Sequence, residues 1–186
     1  VAHLNDLILD KEHLLTMRKV IGLLGLVVLF ALAGPAQAQT QLYTTEELEY
    51  SLELPSPVWK VSSGRDAVHQ HPEFLNGEKL SGYLRIRKEA TDGNTTMSDL
   101  ARRELEQKVR YLPGFVEGKE DKFNGRLDGV TVSYEFTQTG KPMLGRIYFL
   151  QSDARTAYVL HFTGLRDNLA RIRNQTDLIA RSFKLK

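Results

Sequence analysis

The sequence predicts an α+β domain built on an antiparallel sheet, and three observations carry that reading. Segments of two-residue apolar alternation recur, most clearly over Leu80–Arg87 and Val130–Phe136. Links such as Thr139–Pro142 and Ser152–Arg155 join neighbouring segments and are far shorter than a parallel crossover requires. Two other stretches, Met97–Leu112 and Leu165–Ile179, carry apolar residues at helical spacing instead.

The chain opens with a segment that belongs to no domain. Arg18 and Lys19 precede the uncharged run Val20–Ala33, Gly34-Pro35 breaks it, and Ala36-Gln37-Ala38 offers small residues at Ala36 and Ala38. That order is a secretory signal peptide, with cleavage expected after Ala38. The apolar run is shorter than the roughly 20 residues of a spanning helix, so no permanent membrane anchor is expected after cleavage. Residues 1–16 carry Asp6, Asp10 and Glu12 ahead of the basic pair, which does not suit a signal peptide. They read as an extension ahead of a true start at Met17. Residues 39–186 then form a single domain, periplasmic or secreted, in a bacterial setting.

Within that domain, 39–45 reads as a mobile polar lead-in. Tyr50–Leu54 alternates and reads as a strand ended by Pro55 and Pro57, and Val58–Val61 as a second short strand. Ser62–Asp66 reads as a turn, Val68–His71 as extended, and His71–Lys79 as the chain turning again. In the next strand Leu80, Gly82, Leu84 and Ile86 share one face, and Ser81, Tyr83, Arg85 and Arg87 the other. Thr96, with Asp99 three residues on, is a helix N-cap, and Pro113-Gly114 stops that helix. Strands follow at Phe115–Lys122, Leu127–Gln138, Met143–Gln151 and Thr156–Gly164. The last is apolar on both faces and is expected at the sheet centre. A second helix over Arg166–Arg181 and a short final strand close the domain.

Composition excludes several classes. The net charge is +2, and the first 38 residues contain equal numbers of acidic and basic side chains, so the domain carries the same near-neutral balance. The helical Arg and Lys residues mostly follow an acid four positions earlier, as in Glu104–Lys108 and Asp177–Arg181, which is the pattern of a solvated face. Nucleic acid is therefore not an expected partner. No Cys is present, which removes disulfides, thiol chemistry and a lipidated cysteine. No dinucleotide fingerprint, phosphate loop or serine-nucleophile motif occurs in the domain.

Three sets of residues remain as candidates. Tyr83, Arg85 and Arg87 place cations and a ring on one strand face, a contact surface for a partner or an anionic ligand. His69 and His71 would point the same way from an extended segment, with Glu73 close by and His161 arriving from another strand. That set could hold a zinc or copper ion, although a metal centre needs three or four ligands and a supporting shell. His161 by itself reads as a core histidine.

The segments Leu52–Val61, Met97–Val109, Leu127–Gly164 and Asn168–Lys184 together resemble the PsbP-like superfamily, which includes photosystem and bacterial envelope proteins. The resemblance implies an α/β/α sandwich around the antiparallel sheet. It also implies a non-enzymatic accessory or binding role. No cofactor is expected, and the expected partner is an envelope protein or a small ligand. A metal-binding protein or metalloenzyme using His69 and His71, and a carrier of a lipid or other apolar ligand between sheet and helix, are the alternatives.

Overall fold

The computed structural model describes residues 40–65, 72–77 and 81–186, within a unit spanning Gln39–Lys186. Its strands are β1 (Gln41–Tyr43), β2 (Tyr50–Leu54), β3 (Trp59–Arg65), β4 (Pro72–Asn76) and β5 (Gly82–Ala90). After helix α1 (Met97–Glu104) and a π-helical turn (Leu105–Val109) come β6 (Val116–Phe123), β7 (Gly129–Gln138), β8 (Lys141–Asp153) and β9 (Thr156–Leu165). Helices α2 (Arg166–Arg171) and α3 (Arg173–Ser182) and strand β10 (Lys184–Leu185) complete the chain.

Seven strands form one antiparallel sheet in the order β3-β4-β5-β9-β8-β7-β6, and β1-β2-β10 form a smaller one. β9 is the middle strand of the seven. Alternate side chains of β9 enter different cores, Tyr158, Leu160 and Phe162 on one face and Ala157 and Val159 on the other. That is why its sequence is apolar on both faces. The β7-β8-β9 meander is local, and the Thr139-Gly140 corner has both residues at positive φ, 51° and 72°, as a two-residue hairpin turn requires. β5 and β6 lie at a distance from one another in the sheet, so α1 must cross a sheet face to join them.

Each face has its own cover. α1 and its π turn lay Met97, Ala101, Leu105 and Val109 on Val132, Ile147, Phe149 and Val159. The opposite face buries Trp59, Phe74, Leu84, Ile86 and Phe162 against Leu169, Ile179 and Phe183 and the small sheet's Tyr50 and Leu52. The result is an α/β/α arrangement, with the small sheet sharing one outer layer with α2 and α3. Gln175 of α3 ties that layer to the sheet edge, its Oε1 accepting from Trp59 Nε1 at 2.8 Å and Asn76 Nδ2 at 3.2 Å.

Several elements differ from the sequence expectation. Gln41–Tyr43 is not a loose lead-in: it pairs with β2 from Gln41 opposite Leu54 to Tyr43 opposite Leu52. Ser62–Arg65 continues β3 through a register shift, so the expected turn is a bulge. Pro72–Asn76 is a strand, held between β3 and β5. The first helix widens after Glu104, where Arg110 N donates to Leu105 O at 2.8 Å, an i to i+5 bond. The second helix breaks at Ile172, whose φ and ψ of −97° and 15° leave the helical region.

Candidate functional site

The α1 side of the sheet is only partly covered. α1 and its π turn rest over β7, β8 and the adjoining part of β9, while the residues of β5 and the near end of β9 lie beside the helix. Strand register sets what meets there. Arg85 stands opposite His161, and Tyr83 opposite Thr163. Thr163 in turn faces Gly145, and Gly145 faces Tyr134.

Gly145 is the key to this row. A Cβ built on it would lie 2.1 Å from Tyr134 Cζ, so the phenol occupies the space above β8 that a side chain would otherwise fill. Crossing β8 in this way, Tyr134 OH reaches His161 Nε2 at 2.7 Å. Burial pushes the His161 pKa down to about 4, so the imidazole is neutral near pH 7. Burial also pushes the Tyr134 phenol up, with Thr163 acting in the opposite sense. The pair is therefore an uncharged donor–acceptor unit set among ionised groups.

Those ionised groups come from β5 and α1. Glu104 is 6% exposed yet takes Arg87 through both carboxylate oxygens, at 3.2 and 2.8 Å. Lys108, one turn on, reaches Glu104 Oε2 at 2.8 Å. Burial raises the Glu104 carboxyl, but the Lys108 and Arg87 contacts outweigh it and hold the group below its usual range. Arg87 also bonds Glu89. The π turn begins directly after Glu104, and Glu104 and Leu105 are both buried on the helix face toward the sheet.

Arg85 is different. It is 52% exposed, donating from Nε to Glu73 at 2.8 Å and to Tyr83 OH at 2.9 Å. Its guanidinium carbon lies 4.9 Å from the centre of the Tyr83 ring. Tyr83, Arg85, Gln138, Met143, His161 and Thr163 line an open depression of about 280 Å³. A wider groove of about 750 Å³ runs between α1 and β6, with Leu105, Phe115 and Val132 at its base and Arg102, Arg110 and Glu117 among its charged lining.

The structure thus joins two readings that the sequence kept apart. Tyr83 and Arg85 share a depression with His161, whereas Arg87 is committed to Glu104 under the helix. Glu73 lies on β4 and serves Arg85. His69 and His71, with the proposed metal set that depends on them, lie outside the described residues, as do Ala36 and Ala38. Among the described residues no group of three metal-ligating side chains converges. Glu104, expected on a solvated helix face from its spacing to Lys108, is instead buried: it stands seven residues after Met97 and three after Ala101, on the buried stripe of its own helix.

No protein family and no curated protein matches the chain by sequence. Solved structures do match in fold. The solution structure of cyanobacterial PsbP (CyanoP) from Synechocystis is 12% identical, with a TM-score of 0.56, over 83% of this chain and 96% of that one. LpqN of Mycobacterium tuberculosis, described as involved in cell envelope biogenesis, is 12% identical, with a TM-score of 0.53, over 80% of this chain and 91% of that one. A protein of unknown function from Pseudomonas aeruginosa, a putative regulator, is 17% identical, with a TM-score of 0.50, over 80% and 99%. The fold is PsbP-like.

Proposed function

We propose that the chain is an exported accessory protein that binds a partner in the cell envelope and carries out no chemistry itself. The partner contact is the Tyr83–Arg85–His161 depression. The observation that carries this reading is Arg85: it is half exposed and stacked on Tyr83, at the rim of a concave, partly apolar face that α1 leaves open. Arg and Tyr are favoured contact residues because each offers a large, directional surface. The neutral His161–Tyr134 pair behind them makes a floor without a free charge, which suits recognition better than acid–base work at neutral pH. The Met17–Ala38 segment supports export, and the LpqN and CyanoP likenesses support an accessory role of this fold.

Site-specific photocrosslinking in intact cells tests the proposal. A crosslinker in place of Tyr83 should give one discrete adduct, and Arg85→Ala should remove it. The same crosslinker in place of Tyr111, which is 78% exposed beyond the end of the π turn, should give none. Identical, diffuse products from both positions would refute the assignment.

A further inference from the structure

On the opposite face of the sheet, β6, β7, β8 and the first turn of α3 enclose a separate pocket of about 220 Å³, lined by Lys119, Asp121, Thr131, Ser133, Arg146 and Arg173. We propose that this pocket binds a tetrahedral oxyanion, a phosphate group either free or carried on a lipid headgroup.

Three cations arrive from three different elements. Lys119 comes from the edge strand β6, Arg146 from β8 and Arg173 from the start of α3. Arg146 is only 12% exposed and already fixed: its Nε donates to Tyr148 OH at 2.6 Å and its Nη2 to Asp177 at 2.9 Å. Those bonds set the plane of the guanidinium and leave Nη1 without a partner among the described residues. Arg173 is exposed and makes no ion pair among them. Two carboxylates are near. Asp121 lines the pocket and pairs with Lys119 at 2.5 Å, and Asp177 holds Arg146 from outside the lining. The Asp121 carboxyl is held below its usual range, by Lys119 first and also by Arg146 and Arg173, so it senses all three cations together.

The hydroxyls point to a ligand as well. Thr131 is 6% exposed, yet its Oγ1 is buried with no hydrogen-bond partner. A buried hydroxyl without a partner is a cost that native structures seldom leave standing. Ser133 lies two residues along the same strand and therefore on the same face. Ser133 also stands opposite Arg146 in the β7–β8 register. An oxyanion in this space accepts from both hydroxyls and from the two guanidinium groups at once, the charge-assisted geometry in which arginine and phosphate pair best. The site does not depend on the partner contact on the other face.

The test is a two-dimensional NMR titration of the intact domain with sodium phosphate at matched ionic strength. Saturable shifts are expected at the amides of Lys119, Thr131 and Ser133, with a midpoint near or below about 1 mM. Arg173→Ala should raise that midpoint about tenfold or more, and Thr131→Val several-fold, with circular dichroism confirming that both remain folded. Co-sedimentation with vesicles of phosphatidic acid in phosphatidylcholine, against phosphatidylcholine alone, separates the sources. Selective pelleting that Arg173→Ala abolishes assigns a headgroup, and phosphate shifts without pelleting assign a free anion. Neither shifts nor pelleting, or an unchanged midpoint and pelleting in Arg173→Ala, would overturn the proposal.

Discussion

Tyr134 OH meets His161 Nε2 at 2.7 Å across a full intervening strand, because β8 places Gly145 where a side chain would block the ring. Three strands are thereby tied together by one phenol, and the imidazole beside Arg85, which burial keeps neutral, is held by it.

Gly145→Ala is expected to disrupt this arrangement. The added methyl carbon would fall 2.1 Å from Tyr134 Cζ and 2.5 Å from the Tyr134 hydroxyl oxygen, so the ring must move. The cost should be about 1–3 kcal/mol, as for other overpacked sites. Urea denaturation measures it, and the His161 ring resonances should move as Tyr134 is displaced. An unchanged midpoint would mean that the ring has room elsewhere.

Stability should fall with acid through His161. Its pKa is about 4 in the fold and about 6.5 in an unfolded chain. The unfolded chain binds more protons between those values, so stability drops as pH falls from about 6.5 to about 4 and levels off below. The loss is up to roughly 3 kcal/mol. Arg87, Arg85 and Lys108 face the ring and disfavour its charging, while Glu104 favours it. His161→Gln should flatten this part of the pH–stability curve, and equal slopes in both proteins would exclude His161 as its source.

Arg87 and Glu104 should behave as a coupled buried pair. Arg87→Met leaves Glu104 with Lys108 alone and should cost about 3 kcal/mol. Glu104→Met should cost a similar amount. The double variant should recover much of the loss, since no buried charge is then left unmatched. Strict additivity in the double-mutant cycle would show that the two side chains do not interact.

Thr96→Ala should cost about 1 kcal/mol. Thr96 Oγ1 accepts from Asp99 N at 3.1 Å, while the Asp99 side chain accepts from Thr96 N at 3.3 Å, a reciprocal cap on α1. Chemical denaturation reads the effect, and Thr96→Ser should restore most of it because it retains the accepting oxygen.

The parts of this protein that were legible in sequence are those decided by near neighbours. The alternation over Gly82–Arg87 and Val130–Phe136 assigned each side chain to its face. The Thr96–Asp99 cap and the Thr139-Gly140 corner appear in the structure where their residue types placed them, and the two-faced β9 is central. Each depends on residues within a few positions, so local chemistry suffices. Gln41–Tyr43 and Pro72–Asn76 could not be read in that way. They are strands because β2, β3 and β5 offer them unpaired backbone groups, a property of the neighbour rather than of the segment.

The sequence by itself determined the α+β class, the facing of the long strands and the helix start, because side-chain period and capping are local physics. Only the tertiary structure decided which of those side chains meet. Arg85 and His161 are distant in sequence and adjacent in the sheet because β5 pairs with β9. Arg87, two residues from Arg85 on the same face, was drawn under the helix by Glu104, and the difference between a half-exposed guanidinium and one buried against a carboxylate rests on where α1 crosses the sheet.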